Sequence, residues 1–535
     1  MRGPVRGRLG ASLLATAVAL YGAGARAQTA APPADAAAPP APAAGEPAAQ
    51  QPASPAPVAA PVVASPVAAP PPAAAPPPTG PSPAAAALLA EALPASEAPE
   101  LPHVPLKARW ETFFYGFAEL DFTRDSTQSY GPASNNAVLA RPGTYAATHP
   151  RAQLTVNNSQ LGMRVAAPMF HALKPSAQVE LDFFGVQPSD TTESNIYTVP
   201  SLRLRLFYLR LETPLFDVLA GQYHELFAWG GAGFYPSTLA FLGIGGEIFR
   251  RQPQLRLSRT FGERTKLEIA VAAVRPAARD SGVPDLEAGV KLAVGSWRGM
   301  SMQGFGPPDV APLAIGLSAV GRRFAVAEFL PDAGEPKVEF GGGLALNLFV
   351  PIIPVHADTR NNALSFNAEL TDGTGISDLY TGLTGGALFP TLTNPGAPPP
   401  QPLYRPNIDA GIVTFDANGN LVPINWWAVI IGLQYYLPIE NGRVWLSANA
   451  SRLQSSNIVS LTPEASRGGI FYRQDYYDAN LYTAVTPAVQ IGLSFQATHQ
   501  IFGDMPFETS PTAPYGFFVP ETWNYRAEAA VRLFF

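Results

Sequence analysis

The chain has 535 residues, a formal net charge of −6 and only 14% charged residues, which excludes the basic surface that a nucleic-acid partner would require. It has no cysteine, which excludes disulfide scaffolds, thiolate metal sites and a lipid-modified N-terminal cysteine. No window of the mature sequence reaches the ~18 apolar residues of a spanning helix. The protein is therefore either soluble or a membrane β-barrel, whose hydropathy signal is weak.

The N-terminus has the three parts of a secretory signal peptide. Arg2, Arg6 and Arg8 form a basic start, residues 11–21 form a short apolar core, and Ala25-Arg26-Ala27 is a small-x-small cleavage site. An uncleaved membrane anchor is disfavoured because the apolar core is too short to span a bilayer. We predict a signal peptide over residues 1–27, with cleavage before Gln28.

Residues 28–106 are low-complexity sequence made almost entirely of alanine and proline. Proline blocks such as 70–72 and 76–78 favour polyproline II and cannot donate hydrogen bonds to a β-ladder. We predict a disordered periplasmic extension. It is either a spacer that reaches toward the peptidoglycan or a solvated tail without a dedicated partner.

From Trp110 onward, segments of about ten residues alternate apolar and polar positions and are separated by turn residues, which predicts strands across a barrel domain at 107–535. In the fourth segment Arg203 and Arg205 share a parity with Phe207, Leu209 and Leu211, a conflict that a β-bulge would explain. The first eight predicted strands are Phe114–Phe122, Gln160–Val165, Ala177–Phe183, Leu202–Leu211, Val218–Phe227, Gln254–Phe261, Thr265–Ala273 and Leu286–Val294.

The remaining segments bring the predicted total to sixteen strands. Short and long connections alternate along most of the chain, as expected when periplasmic turns alternate with outer loops. The segment Gly295–Ala311 is an exception, because it is too long for a tight turn. The last eight predicted strands are Leu313–Phe329, Lys337–Phe349, Leu364–Thr371, Trp427–Leu437, Val444–Ser451, Ala479–Thr486, Val489–Thr498 and Trp523–Phe535.

The final strand, Trp523–Phe535, shows the alternation most clearly. One face is apolar with aromatic residues at both ends, and the other carries Arg526, Glu528 and Arg532. An ordinary terminal strand of a soluble β-domain would also alternate. The terminal Phe535, however, resembles the signal by which outer-membrane barrels reach their assembly machinery. The fold class predicted from these patterns is all-β: a transmembrane antiparallel β-barrel of sixteen strands.

Residues 110–535 resemble the trimeric sixteen-stranded porins of Gram-negative outer membranes, nearest the phosphate-selective-porin-like branch. The motifs that carry the resemblance are 158–163 (NSQLGM), 179–185 (VELDFFG), 219–222 (LAGQ), 251–256 (RQPQLR) and the terminal Phe535. The resemblance implies a passive channel with its third outer loop folded into the barrel, here His224–Arg250. The chain departs from the branch because it lacks a dense Lys/Arg ladder, so anion selectivity does not follow.

The candidate site residues are charged residues predicted to face the lumen, together with those of the predicted constriction loop. Opposed charges on the wall would set size and charge preference, whereas a solvated inner face would have no selective role. We expect acidic and basic residues on separate strands to create a transverse field. The pore-lining candidates are Glu119, Asp121, Arg164, Glu180, Asp182, Arg203, Arg205, Arg256, Lys291, Arg526 and Arg532, and the loop candidates are Glu225, Glu247, Arg250 and Arg251.

Aromatic residues near strand ends are candidates for interfacial girdles, with ordinary core aromatics as the alternative. Catalysis finds no support, because the six histidines lack metal spacing and no nucleophile motif occurs. Asp416, Asn418 and Asn420 are interpreted as turn residues and not as a calcium loop, so no metal or cofactor is expected. The girdle candidates are Trp426, Trp427, Tyr435, Tyr436, Trp523 and Tyr525.

The sequence therefore predicts an outer-membrane porin of a Gram-negative bacterium that passes small polar solutes passively, with its N-terminal arm in the periplasm. The alternatives are a barrel-anchored envelope tether or adhesin, and an outer-membrane hydrolase built from residues distant in sequence. The expected partners are outer-membrane lipid and lipopolysaccharide, the barrel assembly machinery through Phe535, two further copies in a homotrimer, and peptidoglycan through the arm.

Overall fold

The computed structural model covers most of the barrel domain. The predicted signal peptide and the Ala/Pro-rich segment lie outside the described residues. Within the part of the chain that the structure describes, no helix is long and apolar enough to cross a membrane. The described residues are 110–134, 137–185, 201–230, 233–302, 306–326, 336–356, 359–383, 408–409, 411–416, 418–462, 464–467, 469–503 and 520–535.

The described residues form one large antiparallel sheet and a small hairpin, with little helix. The strands are β1 (Glu111–Asp125), β2 (Arg151–Thr155), β3 (Gln160–Ala166), β4 (Lys174–Asp182), β5 (Arg203–Glu212), β6 (Asp217–His224), β7 (Arg251–Phe261), β8 (Thr265–Val274), β9 (Asp285–Ser301), β10 (Asp309–Val326), β11 (Lys337–Ile353), β12 (Leu364–Thr374), β13 (Val413–Phe415), β14 (Leu421–Pro423), β15 (Asn425–Tyr436), β16 (Val444–Ser455), β17 (Phe471–Ala484), β18 (Val489–Phe502) and β19 (Glu521–Phe534). The helical pieces are α1 (Tyr145–Thr148), α2 (Ile458–Leu461), α3 (Glu464–Arg467) and the 3₁₀ turns Phe227–Trp229, Arg279–Ser281 and Ser377–Leu379.

The large sheet closes on itself into a barrel. Strand β1 pairs with β19 on one side, from Phe117 opposite Phe534 to Asp125 opposite Arg526. On its other side it pairs with β3 near its start and with β2 near its end, so β2 and β3 together occupy one position. The seventeen strands of the sheet therefore fill sixteen barrel positions, which confirms the predicted fold class.

The two faces of the barrel wall are the reverse of those of a soluble protein. Along β19, Trp523 and Tyr525 point outward and are 38% and 45% exposed, whereas Arg526 and Arg532 on the other parity are buried inside. Large apolar side chains are exposed on the outer face of nearly every strand. A wall with apolar side chains outside and polar ones inside suits a hydrocarbon surround and a polar lumen.

A bulge resolves the parity conflict in the fourth predicted strand. Glu180 pairs with Leu206 and Leu181 pairs with Leu204, so Arg205 is the extra residue in β5. Arg203 and Arg205 therefore face inward before the bulge, while Phe207 and Leu209 after it face outward and are exposed. The bulge that we predicted is confirmed.

Among the boundary predictions that were wrong, two concern residues that lie inside the barrel. Most of Gly295–Ala311 is strand, because Arg298–Ser301 continues β9 and pairs with Asp309–Pro312 of β10. The fifth predicted strand ends at His224, and Leu226 and Phe227 already belong to the following loop. Met300 in the first segment and Leu226 and Phe227 in the second are buried inside the barrel. Period-two alternation does not reveal this burial.

The barrel has a turn end and a loop end. The turn end carries Glu111, Phe534 and the connections β3–β4, β5–β6, β7–β8, β9–β10, β11–β12, β15–β16 and β17–β18. The loop end carries the other connections between barrel positions, among them the loop between β6 and β7 and the long segment between β12 and β15 that contains the β13–β14 hairpin.

Candidate functional site

In the connection between β6 and β7, the described residues 225–230 and 233–250 fold into the lumen and are called the inward loop below. It begins with the 3₁₀ turn Phe227–Trp229, whose side chains are buried. The backbone N–H groups of Leu226 and Phe227 donate to Glu287 Oε2 at 2.7 and 3.1 Å. The inner wall therefore supplies the hydrogen bonds that this turn would otherwise lack.

Trp229 fixes the first part of the inward loop against β9 and β10. Its Nε1 donates to the carbonyl oxygen of Leu317 at 3.1 Å. A Cβ at Gly289 would lie 2.9 Å from the Trp229 ring and one at Gly316 would lie 2.6 Å from it, so these two inward positions need glycine. The Lys291 ammonium lies 5.0 Å from the centre of the same ring, a cation–π distance.

The middle of the inward loop crosses the lumen to β16 and β17. Thr238 donates to Asp478 Oδ2 at 2.6 Å, and Asn449 donates to the carbonyl oxygen of Ser237 at 2.8 Å. Ser451 donates to the carbonyl oxygen of Gly245 at 2.6 Å. The loop is therefore held by several strands on the far side of the barrel from β6 and β7.

The end of the inward loop is fixed by buried charges. Arg322 contacts Asp285 through Nε at 3.1 Å and Asp378 through Nη2 at 3.2 Å, and Arg250 also donates to Asp378. Burial alone would raise the pKa of Asp378, but Arg322 and Arg250 hold it below its usual range. Asp378 therefore joins the inward loop, β10 and the segment after β12 as an anion.

The carboxyl groups of Glu225 and Glu247 in the inward loop have raised pKa values, unlike that of Asp378. Burial raises the pKa of Glu225 well above its usual range, and nearby Glu287 raises it further. Burial likewise raises the pKa of Glu247, with Glu369 adding to the effect. Glu247 accepts the backbone N–H of Ile244 at 2.8 Å, so it closes a turn within the loop.

An apolar core lies inside one part of the barrel. It joins Phe227 and Ile248 of the inward loop with Ile376 and Tyr380 of the segment after β12, and with the inward side chain of Trp426. Loop segments and inward wall residues thus pack together as in a protein interior. This packing fills the space beside β10–β18 at the loop end.

An open cavity of about 770 Å³ lies on the other side of the lumen. It is called the chamber below. The inward faces of β1, β3, β4, β5 and β6 form its wall, and Tyr235 and Phe249 of the inward loop also line it. The wall residues of the chamber include Tyr115, Gln160, Arg164, Gln178, Glu180, Arg205, Tyr208, Tyr223 and His224.

No protein-family model matches this chain, and no curated protein sequence is similar to it. Among solved structures, the chain is similar to the outer membrane channel DcaP of Acinetobacter baumannii, with 16% identity, a TM-score of 0.54, and coverage of 80% of this chain and 98% of that one. It is also similar to OprB of Pseudomonas putida (11% identity, TM-score 0.43, 80% and 94% covered) and to OmpF of Salmonella typhi (8%, 0.41, 79% and 97%). At this identity the likeness to DcaP shows the fold and leaves the solute open.

Most predicted pore-lining residues face inward, but opposite charges lie side by side. Arg203 and Arg205 each bind Asp182, at 2.6 and 3.0 Å, and Arg205 also binds Glu180 at 2.8 Å. The transverse field that we expected requires separated charges, whereas these pairs join neighbouring strands. The further wall pairs are Lys291–Glu268 at 2.8 Å, Arg526–Asp125 at 2.8 Å and Arg532–Glu119 at 2.7 Å.

The other predicted residues differ in their surroundings. Asp121 is buried on β1 and accepts a hydrogen bond from Asn158. Arg256 donates to the carbonyl oxygen of His224 at 2.6 Å. Arg251 opens β7, with its guanidinium 5.1 Å from the Phe249 ring centre. Arg164 is exposed to the lumen and donates to Gln178 at 3.2 Å.

The girdle prediction was partly wrong. Trp426 and Tyr436 lie on the inward parity of β15 and are fully buried, so they are core aromatics. Trp523 and Tyr525 face outward, as a girdle requires. Among the described residues, no group of three or more His, Asp or Glu side chains is placed to hold a metal ion.

The uncharged part of the chamber was missed from the sequence. Tyr115 and Gln178 lie on the same inward parity as the charged residues that we selected. Tyr208 also faces inward, because the β5 bulge changes which residues of that strand face the lumen. Gln178 bonds to both tyrosine hydroxyls, accepting from Tyr208 at 2.8 Å. Listing every inward polar residue would have found the first two.

Proposed function

We propose that this protein is a porin, a water-filled outer-membrane channel through which small polar solutes diffuse passively. The observation that carries the proposal is the chamber: an open space, lined in part by charged, amide and tyrosine side chains, inside a closed barrel whose outer surface is apolar. A barrel that served only as an anchor would not need an open space beside its packed interior. The channel therefore accounts for the chamber better than a tether or adhesin does.

The ion pairs of the wall support mild charge selectivity. Each paired arginine is neutralised within about 3 Å by a carboxylate, so little net field extends into the water. Arg164 differs because it is exposed and has no ion pair among the described residues. Arg164→Glu should shift the reversal potential toward cations, more strongly at low ionic strength. An unchanged reversal potential would remove Arg164 from the conducting path.

Conductance across a planar bilayer tests the channel itself. Purified protein should give discrete conductance steps, and liposomes that contain it should swell in small polar solutes. The control is a gel on which heated and unheated samples are compared. A difference in migration between them shows that the unheated protein is folded. Folded protein without conductance would end the porin proposal and favour the tether.

The remaining assignments are proposals that rest on the sequence. They comprise the Gram-negative outer membrane, the homotrimer, the contacts with lipopolysaccharide and the assembly machinery, the periplasmic arm near peptidoglycan, and the phosphate-selective-porin-like branch. The exposed apolar outer wall supports a lipid contact. Chemical cross-linking in native outer membranes tests the trimer, and a single-subunit band alone would count against it.

A further inference from the structure

The β9–β10 hairpin turns into the barrel at the turn end. A register shift lies between Pro312 and Leu313, because Pro312 pairs with Arg298 while Leu313 pairs with Val294. Residues 295–297 are therefore extra, and a bulge of this kind bends a strand. Beyond it, the described residues 297–302 and 306–309 leave the wall, and they are called the strap below.

The strap is fixed to the inner wall formed by β11, β12 and β15. Ser365 Oγ on β12 donates to the carbonyl oxygen of Met300 at 2.7 Å. The N–H of Met302 donates to Gln434 Oε1 on β15 at 3.3 Å. A Cβ at Gly299 would lie 2.7 Å from Pro351 on β11, so the strap lies directly against the wall there.

Side chains of the strap pack in a cluster with three stacked aromatic rings on the inner wall. Tyr436, Trp445 and Tyr482 stack on the inner faces of β15, β16 and β17, with ring centres 5.4 and 5.2 Å apart. Met300 and Met302 are buried in the same cluster. Methionine suits such a place because its thioether makes favourable contacts with aromatic rings.

The strap and the inward loop meet on this side of the barrel. Leu239 of the loop belongs to the cluster that holds Met300 and Met302. A Cβ at Gly492 on β18 would lie 2.9 Å from Leu239, so the loop also presses on the wall. The inner face beside β12–β18 is thus covered from the middle of the lumen to the turn end.

The opposite side of the lumen stays open. The chamber is lined by the inward faces of β1 and β3–β6 on one side and by Gly306, Pro307, Pro308 and Asp309 of the strap on the other. Tyr235 and Phe249 of the inward loop also border it. The inward loop therefore bounds the chamber toward the middle of the barrel, and the strap bounds it at the turn end.

We propose that solutes pass only along the β1–β6 side of the barrel and that the strap forms a second narrowing at the turn end. This inference rests on the proposed channel function. Pro307 and Asp309 on the strap and Tyr115 and Arg164 on the wall are then the residues that set the size of a permeating solute. The inward loop sets a separate limit deeper in the lumen.

Single cysteines can map the path, because the chain has none of its own. Arg164→Cys places a thiol in the chamber wall, and Ser447→Cys is its control at similar depth on the covered side, where Ser447 donates to Ser237 of the inward loop. A water-soluble methanethiosulfonate reagent should lower the conductance of the first variant roughly twofold and leave the second unchanged. Reaction of Ser447→Cys after denaturation confirms that its thiol is present.

Pro307→Cys tests the strap. A bulky thiol reagent attached there should reduce conductance, because Pro307 lines the chamber. Met302→Ala, which loosens the strap from the aromatic stack, should increase conductance or make it unsteady. The cysteine variant carries the test if Met302→Ala fails to assemble.

The outcomes separate this inference from the channel proposal. A conducting wild type whose Ser447→Cys variant is blocked as readily as Arg164→Cys would overturn the one-sided path. A conducting wild type that is indifferent to modification at Pro307 would overturn the second narrowing. A folded but silent wild type would overturn the channel itself, and both inferences with it.

Discussion

Replacing Arg526 with methionine should destabilise the barrel by about 3–5 kcal/mol, the range for breaking one partner of a buried ion pair. Arg526 on β19 lies directly opposite Asp125 on β1, at the seam where the first and last strands close the barrel. Its side chain is 2% exposed and that of Asp125 is 0% exposed. Solvent therefore cannot replace the interaction.

The contacts of Arg526 explain the size of the effect. Its Nε and Nη2 donate to the two carboxylate oxygens of Asp125 at 3.0 and 2.8 Å. It also donates to the carbonyl oxygens of Pro132 and Gly131 at 3.0 and 2.7 Å. Methionine keeps much of the volume of the arginine side chain but makes no hydrogen bond to Asp125. Asp125 then keeps the hydrogen bond from the Asn524 side-chain amide, at 2.8 Å. A buried carboxylate loses its counter-charge, and the loop that carries Gly131 loses two of its hydrogen bonds to the wall.

Urea unfolding in detergent micelles, followed by tryptophan fluorescence, measures the change. Arg210→Met is the control, because the Arg210 side chain in its ion pair with Asp217 is 44% exposed and should be worth less than about 1 kcal/mol. In a double-mutant cycle, Arg526→Met and Asp125→Asn should be non-additive by about 0.5–3 kcal/mol. A loss below about 1 kcal/mol for Arg526→Met, or strict additivity, would refute this account of the seam.

Three further changes probe other parts of the barrel. Deleting Phe535, whose backbone bonds to Gly116 at 3.0 and 3.1 Å, should lower outer-membrane levels far more than removing one residue of the Ala/Pro segment, and equal levels would contradict this. Gly221→Ala should destabilise the barrel by about 1–3 kcal/mol or more, since the φ of Gly221 is +129° and a Cβ there would lie 2.3 Å from a carbonyl oxygen. The control is Gly131→Ala, whose Cβ would meet no atom within 4 Å and which should be neutral in the same urea assay. Folding raises the pKa of Glu247, so this group binds more protons in the folded state, and the stability of the barrel should fall as the pH rises above the ordinary pKa of a glutamate. Glu247→Gln should remove that fall. Identical pH profiles for the variant and the wild type would exclude Glu247 as its source.

Much of the fold could be predicted from the sequence because the bilayer and the lumen impose opposite demands on alternate residues. Strands such as β19 meet hydrocarbon on one face and polar groups on the other, so their sequence alternates cleanly. All sixteen predicted strands correspond to barrel positions. The position of the inward loop inside the barrel also follows the expectation drawn from the family resemblance, although its role as a constriction stays a prediction.

The strand β15 shows where alternation fails. Its outward residues Trp427, Ile431 and Leu433 are apolar, as lipid requires, but its inward residues Trp426 and Ile430 are apolar as well. These inward side chains pack against loop segments inside the barrel and not against water. A face covered by protein has the same sequence signature as a face covered by lipid, so Trp426 and Tyr436 were placed on the wrong side.

The sequence by itself determined that the barrel has sixteen strand positions and which parity of most strands carries charge, because those properties depend on one residue and its near neighbours. Only the tertiary structure decided which charges pair and that the strap folds inward. Each of these depends on the register between strands and on contacts between residues far apart in the chain, such as Arg526 with Asp125 or Met302 with Gln434. Period-two alternation assigns a residue to a face, but it carries no information about which residue of another strand lies opposite.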